Sequence, residues 1–256
     1  MSKGLAKTYS KEIIKELDKI PVYFPGENVE IGDVITFGKS FFKPRPLGSF
    51  QQITDLDSLG IKFEIEKDTT PDSYVYASRK GVEVNFVAEA NAGSGVKGKT
   101  TINFKKEGSI YFAGVNCLSD HMKSTAHLKA ELDKHKNAID WKNCFIVTGL
   151  TIAEKALISQ SSSDSASINI EGDVKGFQTG GAKDLSAKAK FSITKSGSTA
   201  FLKDWSSDVT VFFTLMRYRK RLFGGSNLDA KAMYINKEDD EYELFTIQAE
   251  DLFMEE

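Results

Sequence analysis

GVEVNFVAEANAGSGVKGKTTINFKKEGSIYFAG, residues 81–114, carries the pattern from which the fold follows. In its first arm Val82, Val84, Phe86, Ala88, Ala90 and Ala92 fall on one face, opposite Glu83, Asn85, Glu89 and Asn91, with Val87 the one exception. In the second arm Ile102, Phe104, Ile110 and Phe112 keep phase opposite Thr101, Asn103 and Lys105. A period of two on both sides of a Gly-rich centre specifies a long amphipathic β-hairpin. Strands of ordinary globular domains run about five or six residues. A strand that crosses a bilayer needs about 9–11, apolar toward lipid and polar toward water. These arms have the second length.

The same stretch matches G-x-x-x-x-G-K-[ST] at Gly93, Gly98, Lys99 and Thr100. That loop cradles phosphate when a buried apolar strand feeds it and a helix N-terminus follows. Here the preceding strand is half polar, and TINFKKEGSIYF after it is rich in strand formers and has no helical stripe. A hairpin turn with a chance match is the better reading; nucleotide binding stays as the minor alternative.

The chain has 256 residues, enough for one large domain or two small ones with a proper core. No run approaches 18 apolar residues, so no transmembrane helix is expected; Val209–Met216 comes nearest. The N-terminus shows no apolar segment of a secretion signal, which predicts a cytoplasmic protein. The two cysteines, Cys117 and Cys144, fit a reducing compartment and read as buried apolar fillers. The formal net charge of −2 is unevenly spread: Glu238, Asp239, Asp240, Glu241, Glu243, Glu250, Asp251, Glu255 and Glu256 occupy the end of the chain with no Lys or Arg among them. With those nine set aside, 34 basic residues face 27 acidic ones, a body of net +7. An acidic tail on a basic body is either solubilising or a mask over a surface meant for something anionic.

Leu5, Tyr9, Ile13, Ile14, Leu17 and Ile20 recur at helical spacing, with Ser10 as a candidate cap and Pro21 as a stop. The helix is expected to pack on a sheet, a membrane-surface helix being the alternative. Short strands are expected at Pro21–Phe24, Asp33–Phe37, Ile61–Glu66 and Tyr74–Ala77. Asp120–Asp140 reads as a largely helical connection. It holds all three histidines, His121, His127 and His135, at spacings unsuited to converging on a metal. Cys144–Thr148 reads as a buried strand and Thr151–Ile158 as another strand or a short helix.

A second alternating pair follows. Ala166, Ile168, Ile170 and Val174 are in phase, and after Gly180-Gly181 the return arm carries Leu185, Ala187, Ala189, Phe191 and Ile193 against Ser186, Lys188, Lys190, Ser192 and Thr194. Two long, sparsely apolar hairpins are compatible with a soluble sheet that has one wet face, or with strands held for a membrane. Asp208–Met216 is the most apolar strand and runs into Arg217, Arg219, Lys220 and Arg221, a cluster suited to lipid phosphates or to a solvated sheet end. Gly224, Gly225 and Asn227 break the pattern, and Leu244, Phe245, Ile247, Leu252 and Phe253 sit among the terminal acids. Acids alone would stay disordered; with these apolar residues the tail is expected to dock.

Taken in order, these parts resemble the gasdermin family, in particular its short bacterial and fungal members. The resemblance rests on an opening helix leading to IPVYFPGENVEIGDVI and PLGSF, on CFIVTGLTIAEKALI, on IEGDVKGFQTGG before a Lys/Ala/Ser-rich strand, on WSSDVTVFFTLMRYRK, and on the short apolar-acidic tail. It implies an α+β fold, a twisted antiparallel sheet with flanking helices, whose residues 1–223 form a pore-forming domain and 224–256 a linker and inhibitory tail. It further implies a monomer that a protease activates by cutting in the region of Gly224, Gly225, Asn227 and Asp240. The product then binds anionic membrane lipid at the inner or plasma membrane and assembles as a homo-oligomer into a β-barrel that kills the cell, as in bacterial defence against phage or its fungal equivalent. Val82, Val84, Phe86, Ala88, Ala90, Ile102, Phe104, Ile168, Ile170, Ala187, Ala189, Phe191 and Ile193 would face lipid. Bacterial members often carry an acylated cysteine near the start, and Met1–Ser10 has none. No catalytic triad, paired carboxylates or metal motif stands out, so no enzymatic activity, cofactor or nucleic-acid partner is expected. The rival classes are a soluble β-rich binding module and a P-loop enzyme.

Overall fold

In the computed structural model, which describes residues 3–22, 28–37, 50–78, 80–88, 97–173, 177, 185–197, 199–220 and 242–248, the opening helix α1 spans Lys3–Leu17. Its apolar stripe is inside: Leu5, Tyr9, Ile13 and Ile14 are all buried. Ser10 does not cap it; the helix begins at Lys3 and Ser10 is buried in its middle. The stop is Asp18, at φ 50°, whose N–H reaches the Ile14 carbonyl at 2.9 Å. A residue in the left-handed region ends a helix by turning its amide back on the last open carbonyls. Pro21 comes later, in β1 (Ile20–Pro21).

Among the described residues thirteen strands follow this helix in the chain, all paired antiparallel. After β1 come β2 (Asp33–Thr36), β3 (Gln51–Asp55), β4 (Ile65–Glu66), β5 (Asp72–Ala77), β6 (Val82–Ala88), β7 (Lys97–Phe104) and β8 (Ile110–Met122). Helix α2 (Thr125–Lys134) separates these from β9 (Phe145–Ser161), β10 (Ala166–Asp173), β11 (Phe191–Ser196), β12 (Thr199–Lys220) and β13 (Tyr242–Thr246). Nine strands make one large sheet in the order β1-β12-β9-β2-β3, with β8 also paired to β9, β4 and β5 paired to β8, and β13 paired to β12. The other four form a small sheet, β11-β10-β7-β6. Among the described residues the architecture is thus β-rich, with antiparallel sheets and two α-helices, as expected from sequence.

The large sheet is buried on both faces where its long strands cross. Ile110 and Phe112 of β8, with Ala153, Ala156 and Ile158 of β9 and Val211 and Phe212 of β12, pack against Tyr9 and Ile13 of α1. Tyr111, Ala113 and Val115, one residue out of phase, face the small sheet together with Leu157. Two-sided burial requires a near-continuous apolar run. That is why IYFAGV gives no clean alternation.

Four further expectations need correction. The second arm of the first hairpin ends at Phe104; Gly108, at φ 83°, turns the chain, and Ile110 and Phe112 open β8 in the other sheet. The return arm of the second hairpin is a strand only from Phe191. Ala187 and Ala189 lie before it, in a turn closed by the Ala189 amide on the Ser186 carbonyl at 3.0 Å. Cys144–Thr148 and Thr151–Ile158 belong, from Phe145 on, to a single 17-residue strand, β9. The glycine between them is no turn: a Cβ at Gly149 would meet the Asp120 carbonyl oxygen of β8 at 3.1 Å and the Thr214 side chain of β12 at 3.2 Å. Asp208–Met216 is only an inner part of β12, whose 22 residues run on to Lys220 and pass through Trp205 and Asp208 at φ 46° and 52°. Cys117 and Cys144 are free and buried, and burial pushes the Cys117 thiol up to about 12.

Candidate membrane-inserting sheet and docked tail

The two alternating segments, about 85 residues apart in sequence, meet edge to edge. Within the first hairpin Val82 lies opposite Phe104 and Val84 opposite Ile102; within the second, Ile170 lies opposite Ile193. β7 and β10 then pair with each other, placing Ile102 beside Ile168 and Phe104 beside Ala166. Registers that match apolar to apolar gather the apolar side chains on one face of the sheet, broken at the β11 end where Lys195 lies opposite Ile168.

That face is turned inward. Val82, Val84, Phe86, Ile102, Phe104, Ile168, Ile170, Ala187, Phe191 and Ile193 all pack in the cluster that includes Tyr111, Ala113, Val115 and Leu157. For Ala88 only the pairing with Gly98 is described, Ala189 is in the turn before β11, and Ala90 is outside the described residues. The outer face is a polar ladder. Lys105 Nζ sits 3.0 Å from Glu83 and Lys99 Nζ 2.9 Å from Glu171, each bridging neighbouring strands. The hydrogen bond from Lys105 holds the Glu83 carboxyl below its usual range. Thr101 Oγ1 donates to Asn169 Oδ1 at 2.9 Å, and the Ser167 and Ser196 hydroxyls are 2.8 Å apart. Among the described residues no strand pairs with the outer edges of β6 and β11.

Lys99 and Thr100 lie in mid-strand of β7, and no helix follows them. A phosphate cradle needs consecutive amides converging at a helix start; here Gly98, Lys99 and Thr100 belong to a paired strand and Lys99 is bridged to Glu171, while Gly93 lies outside the described residues. The nucleotide reading fails on that geometry. Among the described residues no group of three or more His, Cys, Asp or Glu is placed to hold a metal ion. No helix in them is long and apolar enough to cross a membrane, which says nothing of strands.

The tail docks as a strand. β13 extends the sheet along the far end of β12, with Leu244 opposite Tyr218, Phe245 opposite Arg217 and Glu243 opposite Arg219. The Ile247 amide continues the ladder to the Leu215 carbonyl at 2.9 Å. Ile247 is buried and packs with Phe213 and Leu215, joined by Phe245 at the margin; Leu244 and Tyr242 pack beside Trp141 and Tyr218. The Tyr242 ring stacks on Tyr218 with centroids 4.8 Å apart, and Tyr218 Oη donates to Asp133 Oδ1 of α2 at 2.9 Å.

Two side chains of the basic cluster are engaged, Arg219 by the tail and Arg217 by the body. Arg219 Nε lies 2.9 Å from Glu243 Oε1, and its guanidinium stands 4.6 Å from the Phe245 ring centroid. Arg217 donates to the Lys142 carbonyl at 2.8 Å and lies over Phe145. Lys220 is exposed at the end of β12. Arg221, Gly224, Gly225, Asn227, Asp240, Leu252 and Phe253 lie outside the described residues.

Sequence reasoning missed Tyr111, Phe177 and Trp205, which close the inner end of the small sheet's core. Tyr111 Oη donates to the Phe177 carbonyl at 2.7 Å, and the Phe177, Phe191 and Trp205 rings meet pairwise at 4.8–5.6 Å. An aromatic flanked by Gly and polar residues, such as Phe177 in KGFQTGG, was the available signal.

No family model and no curated protein matches the chain. Two solved structures are similar to it over most of its length. One is the cryo-EM structure of the Gasdermin A3 membrane pore, 10% identical over 85% of this chain and 91% of that one, with a TM-score of 0.31. The other is a bacterial gasdermin from Bradyrhizobium tropiciagri, 15% identical over 83% of this chain and 87% of that one, with a TM-score of 0.33. The chain is therefore similar to structures of the family its sequence pattern resembles; at those TM-scores the likeness carries no functional weight.

Proposed function

We propose that the chain is a latent pore-former. In the resting form residues 1–223 fold as a pore-forming domain, and the acidic-apolar tail within 224–256 is docked on it. A protease cutting in the linker region Gly224–Asp240 releases the tail. The basic body then binds anionic lipid through Arg217, Arg219, Lys220 and Arg221, and copies assemble side by side into a barrel. The defensive cell-killing role implied by the sequence resemblance belongs to the same proposal.

One observation carries this reading: both hairpins are already joined in a four-stranded sheet with one apolar and one charged face. A lone hairpin cannot enter lipid, because its edge N–H and C=O groups would go unpaired at several kcal/mol each. A sheet whose outer strands are β6 and β11 satisfies those groups when β6 of one copy pairs with β11 of the next and the ring closes. Glu83, Lys105, Lys99 and Glu171 then border the water-filled lumen, while the face now against Tyr111 and Leu157 meets lipid. β6 and β7 have 7 and 8 residues, β10 and β11 8 and 6, short of the roughly 9–11 a bilayer needs. Insertion therefore requires the arms to lengthen into the segments beyond them, where the sequence alternation continues through Ala90 and Ala92 and back through Ala187 and Ala189.

Dye release from vesicles of phosphatidylserine and phosphatidylcholine tests the proposal, comparing intact chain with chain cut after Asp240. Release by the cut form alone is expected. A second reading has its own support: the apolar face already packs on the large sheet, with Ile102, Phe104, Ile168 and Ile170 buried, so the sheet could be the permanent core of a β-rich binding module. Absence of release from both forms, on anionic and neutral vesicles alike, would favour that module.

A further inference from the structure

The second hairpin is held by contacts that owe nothing to the C-terminal strand. Phe177 belongs to the connection between β10 and β11, yet its side chain is fully buried, as is nearly all of Leu185. The Phe177 carbonyl accepts a hydrogen bond from Tyr111 Oη, itself wholly buried, at 2.7 Å. Its ring meets Phe191 edge-on at 4.9 Å and Trp205 at 5.6 Å, and Trp205 closes the triangle on Phe191 at 4.8 Å. Such ring pairs contribute beyond the area they bury.

Trp205 reaches this position through an irregular backbone. β12 pairs Lys203 with Ile158 and Ser206 with Ala156, leaving Asp204 and Trp205 together opposite Leu157. Two residues opposite one make a bulge, which re-aims a side chain. Trp205 is at φ 46°, a region that a bulky residue occupies only when its surroundings hold it there. There its ring lies against both Phe177 and Phe191.

We infer that Tyr111, Phe177 and Trp205 form an internal latch on the second hairpin, separate from the C-terminal strand, that must open before β10 and β11 can lengthen. Its consequence at a membrane rests on the pore-forming reading; its existence does not. The Tyr111–Phe177 bond pins the connection against β8 and the aromatic triangle pins the start of β11 against β12. Tail release alone leaves both in place, so activation has two stages: uncovering of the β12 end, then withdrawal of Phe177.

Hydrogen–deuterium exchange on the full chain tests the latch without a membrane. Tyr111→Phe keeps the ring in the core and removes the hydroxyl, leaving a buried carbonyl unpaired. Amides of 166–173 and 185–196 should exchange about tenfold faster, those of β6, β9 and β13 at the parent rate. Trp205→Gly, which accepts the positive φ and deletes the ring, should give the same regional pattern. Unchanged exchange in both variants, or faster exchange throughout the molecule, overturns the latch. In chain cut after Asp240, Tyr111→Phe should shorten the lag of dye release several-fold; regional opening with an unchanged lag would remove the latch from the activation route. If the cut parent releases no dye, the pore-forming reading fails and exchange still decides the latch.

Discussion

Val87 and Phe86 are neighbours on β6 and face opposite surroundings. Phe86 packs inward with Ile102 and Ile168, while Val87 is 61% exposed among the polar residues of the outer face. The apolar face is buried in the resting sheet and would be buried in lipid, so a charge there is unfavourable in both forms. Phe86→Asp should lower resting stability by about 1–3 kcal/mol in urea unfolding and abolish dye release, a mid-bilayer charge costing a further ~2–4 kcal/mol per subunit. Val87→Asp should leave both stability and release near the parent values; loss of release there would contradict a water-facing outer surface. Thr100 shares the inner face, and its buried hydroxyl has no hydrogen-bond partner among the described residues. Thr100→Val should therefore stabilise the chain by about 1 kcal/mol, the penalty of leaving such a group unmade, read as a higher urea midpoint. Lys99, by contrast, makes a bridge between side chains 47% and 56% exposed, worth at most about 1 kcal/mol. Lys99→Ala should change neither stability nor release appreciably, and titration calorimetry with magnesium ATP should show no binding heat for parent or variant.

The hairpins were legible as elements because a half-buried strand must alternate, and the register of β6 on β7 follows from that alternation alone. Their union was not. Nothing in 82–104 or 166–196 specifies that β7 should pair with β10, since each offers only an amphipathic surface and an open edge. β9 reads in sequence as two segments, Cys144–Thr148 and Thr151–Ile158, because the glycine between them, placed for close approach of β8 and β12, interrupts the apolar pattern. The tail's docking was readable from apolar residues among acids, but not its form: a strand added to β12 is specified by the free edge of β12, which lies outside the tail. The β7–β10 pairing itself can be tested. Asn103 and Ser167 lie directly opposite each other on the outer face, and antiparallel partners have Cα atoms about 4.5–5.5 Å apart, within the range a disulfide accepts. Asn103→Cys with Ser167→Cys should oxidise readily and leave dye release by the cut form intact, because the proposed barrel keeps these strands adjacent. Release that is lost on oxidation and restored by reductant would mean that the hairpins part before inserting.

At the scale of the whole molecule the two ends of the activation problem meet at Arg219. In the resting chain its guanidinium is shared between the Glu243 carboxylate, 2.9 Å away, and the face of Phe245. The pair is partly exposed, with side chains 43% and 35% accessible; it contributes about 0–1 kcal/mol, and the cation–π contact a similar amount. Most of the docking strength lies instead in burial of Ile247 and in Leu244 and Phe245 against the body, about 1.5–3 kcal/mol for each side chain fully removed from water. With the tail released by a cut after Asp240, Arg219 would face solvent on a body whose net charge has changed from −2 to +4 by loss of the six acids of residues 241–256. A basic residue near an anionic membrane surface gains about 1 kcal/mol, an attraction that acts within a Debye length of roughly 10 Å at 0.1 M salt. Arg219→Ala should therefore act with opposite signs in the two forms. In the intact chain it should loosen β13, seen as faster amide exchange over 242–247. In the cut chain it should weaken sedimentation with phosphatidylserine vesicles about fivefold at 0.1 M salt, with little difference left at 1 M. Leu244→Asp with Ile247→Asp, which breaks the apolar docking and spares the basic cluster, should make the intact chain release dye without any cut. Intact double variant that remains silent while the cut parent leaks would show that the tail restrains the body by something other than its docked strand.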